Sequence, residues 1–338
     1  EKYRQFSEIW HIYPLDQGVV FQSFNYIFIY KNDTIQVIEP PSDLSLMHQS
    51  GNKLYVADRD NGLLVFTGDS FELISSHPVF FRNEIRFVLS YEQSKLLIGT
   101  SNEGVFIWDG QELSQWNTSI NDHLIAENLY SGIRLNRGYY AFGTIGNGLF
   151  ITDENGDILQ HYNRYKGLQN NTILTIFEDK RNNLWLGLDN GIDYIETSSP
   201  LSFMNYNYNI ESSYTSIIHD DILYVGTNQG LYAARREHLR HALNLEDVFT
   251  LIDGTEGQVW NLQLIDDVLL CGHNFGAFQL NGLNARKISD IRGFWSFINP
   301  PGVQDTLVAG TYTGLVKFVK EDGNWVFLDE IQGFNESS

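Results

Sequence analysis

One pattern organises this chain from end to end. A short apolar run closes on Gly and a small or polar residue, a short turn follows, and a second Gly opens another apolar run. Leu96-Leu97-Ile98-Gly99-Thr100 leads to Gly104-Val105-Phe106, and Tyr140-Ala141-Phe142-Gly143-Thr144 leads to Gly148-Leu149-Phe150. The same signature recurs at Gly187/Gly191, Gly226/Gly230, Gly272/Gly276 and Gly310/Gly314, with degenerate copies at Ala57/Gly62 and Gln22/Tyr26. Taken at Tyr26 and the seven second glycines, the spacings are 36, 42, 44, 43, 39, 46 and 38 residues. A regular period of ~40–50 residues is that of a four-stranded propeller blade.

The flanks supply two further strands per period. Ile173 to Phe177 and Val259 to Gln263 precede their hairpins, and Trp325 to Leu328 follows one. Asp/Asn/Gly turns such as Glu178 to Asn183 and Asp153 to Asp157 join them. Period-2 alternation between such turns predicts one antiparallel sheet per repeat. The expected fold is all-β: a β-propeller of four-stranded antiparallel blades with eight repeat units. They make eight blades, or seven plus part of a neighbouring propeller. A parallel β-helix would need shorter repeats, and helical repeats would lack the alternation. Residues 1–338 read as a single propeller domain with one short helical insertion over 234–245. There Leu239, Ala242 and Leu243, with Ala234 or Leu245, share a helical face.

Composition narrows the function. Forty-two acidic residues against 22 basic ones give a formal charge of -20, with no Lys/Arg-rich run. A nucleic-acid binder needs a basic footprint, and anionic lipid repels such a surface. The single cysteine, Cys271, excludes an intrachain disulfide. No apolar stretch approaches the ~20 residues that span a bilayer, and the Glu-Lys-Tyr-Arg start carries no apolar signal region. The chain is thus expected to be cytosolic, or a mature or excised piece of an exported protein.

The best copy of the repeat runs Gly167-Leu168-Gln169-Asn170-Asn171, Ile173 to Phe177, Glu178-Asp179, then Asn183-Leu184-Trp185-Leu186-Gly187 to Gly191. It resembles the two-component-regulator propeller repeat, departing from it in Leu188 where that repeat has Thr. The resemblance implies an extracytoplasmic sensor region of a bacterial regulator, of the Bacteroidetes hybrid two-component or one-component kind. It implies a periplasmic location and signal transduction. It also implies a neighbouring propeller or tyrosine-rich sandwich domain of the same regulator as partner, and homodimerisation through such further domains.

In a four-stranded meander, the entry to strand one and the turn between strands two and three lie at the same end. That end is expected to gather Asn83, Arg86, Asn128, Asn171, Trp260 and Trp295 with the turn residues Arg59, Asn102, Asn147, Asn190, Asn228, His273 and Tyr312. Amides and aromatic rings suit an oligosaccharide or other small ligand, whose hydroxyls need paired donors and acceptors and whose C–H faces stack on rings. The candidate ligand-binding residues are Arg86, Asn171, Trp260, Trp295, Asn83, His273 and Tyr312. No catalytic residue, metal ligand or cofactor is expected, because no Cys/His cluster has zinc spacing and the acidic turn at Asp153 lacks a calcium loop's remaining ligands. The competing readings are a protein-interaction scaffold and a polysaccharide-active enzyme with channel carboxylates at Glu84, Glu127 or Asp220.

Overall fold

The structure is a computed structural model. It describes the chain except residues 1, 2, 4, 5, 7, 43, 44, 93, 200, 202, 203, 205, 242–244 and 334–338, and the side chains of 206, 240 and 241. Its contacts divide it into two compact units, Glu1–Ser202 and Phe203–Ser338.

Unit 1 holds five antiparallel sheets, each built from consecutive strands in chain order. Sheet 1 runs Ile9–Leu15, Gly18–Ser23, Ile27–Lys31 and Thr34–Ile38; sheet 2 runs His48–Ser50, Lys53–Asp58, Gly62–Phe66 and Phe71–Ser75. Sheet 3 comprises Ile85–Tyr91, Lys95–Thr100, Gly104–Trp108 and Leu113–Gln115. Sheet 4 comprises Leu129–Arg134, Tyr140–Thr144, Leu149–Thr152 and Ile158–Tyr162. Sheet 5 has three strands among the described residues, Ile173–Glu178, Leu184–Leu188 and Ile192–Ile195. The first strands of sheets 2, 3, 4 and 5 pack successively against one another, so strand one is the inner strand of each blade. This is the sheet organisation of a β-propeller.

Unit 2 repeats the plan three times. Sheet 6 is Ser213–His219, Ile222–Thr227, Leu231–Arg235 and Thr250–Leu251. Sheet 7 is Val259–Ile265, Val268–His273, Gly276–Asn281 and Asn284–Ser289; sheet 8 is Ser296–Ile298, Thr306–Thr311, Gly314–Glu321 and Asn324–Glu330. Here too the inner strands pack in sequence, sheet 6 on 7 and 7 on 8.

Within each unit, alternation turns the faces of a sheet towards its neighbouring sheets. Apolar clusters accordingly bridge neighbouring sheets. Leu149 and Ile151 of sheet 4 pack with Ile173, Ile176, Leu184 and Leu186 of sheet 5, and Phe106 of sheet 3 joins Ala57, Leu63 and Val65 of sheet 2. In unit 2, Leu231 and Tyr224 meet Val259, Leu269 and Cys271.

The repeat signature has a physical basis at each glycine. The second Gly of the turn takes φ +75° at Gly104 and +79° at Gly148, a region open to Gly at no steric cost. The first Gly makes room for a neighbouring side chain. At Gly99 a Cβ would lie 2.4 Å from the Phe87 ring of the inner strand, and at Gly226 it would lie 2.5 Å from Val259 of the next sheet. Its missing side chain is the space that inner-strand side chains fill.

The residue after the first Gly locks the turn. The Thr100 hydroxyl donates to the Gly104 carbonyl at 2.7 Å, and Thr144, Thr227 and Thr311 repeat the bond to Gly148, Gly230 and Gly314. Other residues at this position do similar work. Ser23 donates to the Tyr26 carbonyl, Asp58 accepts the Asp60 and Asn61 amides, and His273 Nδ1 accepts the Phe275 amide at 2.9 Å.

Helix is not confined to the expected insertion. Val79–Arg82 forms one turn before sheet 3, and Ser119–Ala126 forms an eight-residue helix between sheets 3 and 4. The second buries Ile120, Asn121 and Leu124. The Asn121 carboxamide accepts from the Val105 amide at 2.7 Å and donates to its carbonyl at 3.3 Å, taking the place of a strand partner. Two apolar residues at i and i+4 are too little signal to announce this helix in advance; tertiary packing makes it. In the expected insertion, Ala234 and Arg235 end a strand, and helix spans Arg236–His241. Ala242 and Leu243 lie outside the described residues.

Candidate functional site

The inner strands share an irregularity. In sheet 3, Ile85 pairs with Thr100 and Phe87 with Gly99, which leaves Arg86 unpaired between them. The same one-residue bulge isolates Trp10 in sheet 1, Tyr130 in sheet 4, Leu174 in sheet 5, Tyr214 in sheet 6 and Trp260 in sheet 7. An extra residue in one strand re-aims its side chain out of the alternation. Each bulge sits opposite the last two residues of strand two, which are the Gly-and-lock pair in sheets 3, 4, 6 and 7, Gln22-Ser23 in sheet 1 and Gly187-Leu188 in sheet 5.

In unit 1 these residues border a cleft of about 1370 Å³. Trp10, Arg86, Tyr130 and Leu174 line it, with His11, His48, Phe24 and Phe177. The Arg86 guanidinium stands 4.6 Å over the Tyr130 ring and pairs with Glu84 at 3.2 Å, while its Nε is buried without a hydrogen-bond partner. His48 Nε2 meets the Ile85 carbonyl at 2.9 Å. Burial outweighs that bond and holds the ring's pKa down at about 4. The imidazole is therefore neutral at pH 7 and its Nε2 is the donor.

A polar pocket of about 510 Å³ shares Arg59, Asn83, Glu84 and Arg86 with this cleft and adds Phe81, Arg82, Ser101 and Asn102. Arg59 sits in the turn that Asp58 holds. Burial alone would raise the Asp58 pKa, but bonds from Ser42, Asp60 and Asn61 overcome it and keep the carboxylate below its usual range.

Unit 2 carries an aromatic shelf. Trp260 lies 4.5 Å from Trp295 at 32° and 5.3 Å from Tyr214 at 44°. The Trp260 indole N–H donates to the Tyr312 hydroxyl, which donates to Asn274 Oδ1, both at 3.0 Å. Asn261 anchors the Trp295 carbonyl at 2.9 Å. The shelf is fixed from below yet open, with Trp295 39% and Tyr214 49% exposed.

Of the residues singled out in the sequence, Trp260, Trp295 and Tyr312 thus come together in unit 2, and Arg86 and Asn83 in unit 1. Asn83 is buried, and its amide is committed to Val79, Glu103 and Asn102. Asn171 spends both ends of its amide on the Arg164 amide and Gly146 carbonyl. His273, 1% exposed, serves its turn. Glu84 is tied to Arg86, Glu127 caps the helix before sheet 4, and Asp220 lies in the hairpin turn at the far end of its inner strand. Trp10, Tyr130 and Tyr214 were missed; the signal that finds them is the second residue of each inner strand.

Residues 167–190 match the model of the two component regulator propeller. The chain carries a two-component-regulator propeller repeat. This repeat opens on the Asn171 turn, takes in most of the inner strand and hairpin of sheet 5, and includes the Leu174 bulge. Among solved structures, the extracellular domain assigned to a hybrid two component system of B. thetaiotaomicron is similar at 17% identity and a TM-score of 0.65, covering 96% of this chain and 46% of that one. A second extracellular domain from B. thetaiotaomicron, assigned to a one component system, shows 15% identity and a TM-score of 0.45 over 96% of this chain and 49% of that one. The chain therefore spans less than half the length of either structure, and the first likeness shows the propeller fold. No curated protein matches. Among the described residues no helix is long and apolar enough to cross a membrane, and no group of three or more His, Cys, Asp or Glu side chains is placed to hold a metal.

Proposed function

We propose that this chain is an extracytoplasmic sensor module of a bacterial signalling regulator that binds a saccharide without turning it over. The observation that carries the reading is the shelf of Tyr214, Trp260 and Trp295, two rings from successive inner strands and a third from the residue just before the next one. A sugar's C–H face stacks on such rings, and neighbouring hydroxyl and amide groups meet its hydroxyls. The regulator-type repeat and the likeness to an extracellular regulator domain support the setting. Ligand binding then shifts a pre-existing equilibrium in the packing of this propeller against a neighbouring propeller or sandwich domain, by as much as its affinity differs between the two states.

The test is calorimetry of the purified chain against neutral oligosaccharides, with product analysis on the same samples. Binding that falls at least tenfold in Trp295→Ala, with the ligand recovered intact, supports the proposal. Cleavage that is lost on changing Glu84 to Gln moves the protein to the enzyme reading. No heat with any glycan moves it to a protein-partner scaffold.

A further inference from the structure

We infer that the cleft of unit 1 is a second recognition site, selective for a saccharide that carries oxyanion groups, carboxylate or sulfate. The inference deepens the sensor reading and rests on it. Its starting point is a local reversal of charge. Acidic residues outnumber basic ones 42 to 22 over the chain, yet the polar pocket at the cleft mouth is lined by Arg59, Arg82 and Arg86 against a single carboxylate, Glu84.

The nearby acids are largely engaged elsewhere. Glu103, 4.0 Å from Arg82, accepts from the Asn83 amide at 2.8 Å. Asp58 is fully buried and spent on Ser42 and its own turn. Asp60 lines the larger cleft and not the polar pocket, so the oxyanion-selective part of the site is the polar pocket. Arg82 is exposed, as is Arg59, so both can reach a ligand.

Arg86 is the organised member of the set. Its place in the bulge aims it inward, and Tyr130 and Glu84 hold its plane. Its buried Nε keeps one donor unused. A guanidinium held in one orientation loses little freedom on meeting an oxyanion, and its planar fork matches carboxylate or sulfate through paired N–H bonds. A cleft with low-dielectric walls strengthens that attraction. The cleft continues past Arg86 to Trp10, Tyr130, Leu174 and Phe177, a wall for the ring bodies between charged groups.

The experiment uses matched probes on the intact chain: tetragalacturonate against its methyl ester, and dextran sulfate against dextran. At least one anionic probe is expected to bind tenfold or more tightly than its neutral partner, and to weaken as salt is raised. Arg59→Gln with Arg82→Gln changes two exposed side chains and should leave the fold intact. It should weaken the anionic probe by roughly tenfold, the worth of a charge-assisted bond, without affecting neutral glycans. Binding of tetragalacturonate alone assigns the site to carboxylates, and of dextran sulfate alone to sulfate esters. Equal affinity for charged and neutral partners, indifference to the double variant, or no binding of either anion would overturn the inference. If neutral glycans still bind in a manner sensitive to Trp295→Ala, the sensor reading survives that failure; if nothing binds, both fall.

Discussion

The Arg86 guanidinium lies 4.6 Å above the Tyr130 ring, and both residues are the bulged members of adjacent inner strands. The contact links sheet 3 to sheet 4 at the cleft wall. Truncation by Tyr130→Ala removes the cation–π term and the ring's burial, together about 1–2 kcal/mol. Tyr130→Phe keeps both and should stay within about 0.5 kcal/mol of the parent. Urea denaturation midpoints distinguish the two; equal losses would mean that the hydroxyl rather than the ring face matters.

Gly99 and Gly132 flank Phe87, and a Cβ on either would come within 2.4 Å of its ring. Neither takes a positive φ, so the cost of a side chain there is steric. Gly99→Ala should destabilise by about 1–3 kcal/mol, the range for overpacking a core. Phe87→Leu in the same chain should recover part of that loss. A double-mutant cycle showing simple additivity would refute the contact.

Leu149, fully buried, seals sheet 4 against sheet 5. Leu149→Ala should cost about 2–5 kcal/mol through lost transfer and the cavity left behind. Leu73 is 57% exposed, and Leu73→Ala should cost well under about 1 kcal/mol. Thermal unfolding of the two variants side by side provides the check.

His161 is 3% exposed and stacks on Phe150 at 4.3 Å. Its Nε2 bonds the Asn147 carbonyl at 2.8 Å, and its Nδ1 has no partner, so a second proton there would be buried unpaired. Burial holds its pKa down at about 4, against an ordinary value of 6.5. The unfolded chain thus takes up a proton near pH 6.5 that the folded chain refuses until about pH 4. Its stabilising contribution is whole above pH 6.5, drains away as pH falls towards 4, and then levels off. His48 acts in the same window. His161→Gln should flatten the decline between these limits by about 1–3 kcal/mol. A pH series of denaturation curves with the parent's slope would count against this account.

Thr100 offers a smaller and cleaner test of the turn lock. Thr100→Val keeps the shape, removes the hydroxyl that bonds the Gly104 carbonyl, and should cost about 1 kcal/mol. Thr100→Ser should restore most of it. A Val variant as stable as the parent in chemical denaturation would show that the Gly104 φ alone holds the turn.

Much of the fold was legible in the chain because blade chemistry is local. Gly99, Thr100 and Gly104 sit within six residues, and their turn depends on φ and one hydroxyl, both written in adjacent positions. The candidate site was legible in part. The meander rule placed Trp260, Trp295 and Tyr312 at one end of their sheets, and they meet there. The same rule put Asn171 and His273 forward without showing that the Asn171 amide is spent on turn backbone and that His273 is buried, with Nδ1 holding its own turn.

The sequence by itself determined the repeat, the strand pairing within each repeat and the end of the sheets at which side chains gather, since these follow from residues near one another in the chain. Tertiary structure alone decided which side chains reach the cleft. Strand periodicity is two, so one bulged residue changes the facing of a side chain. The bulges at Arg86, Tyr130 and Leu174 are spaced 44 residues apart, and they form one wall only when sheets 3, 4 and 5 pack their inner strands together.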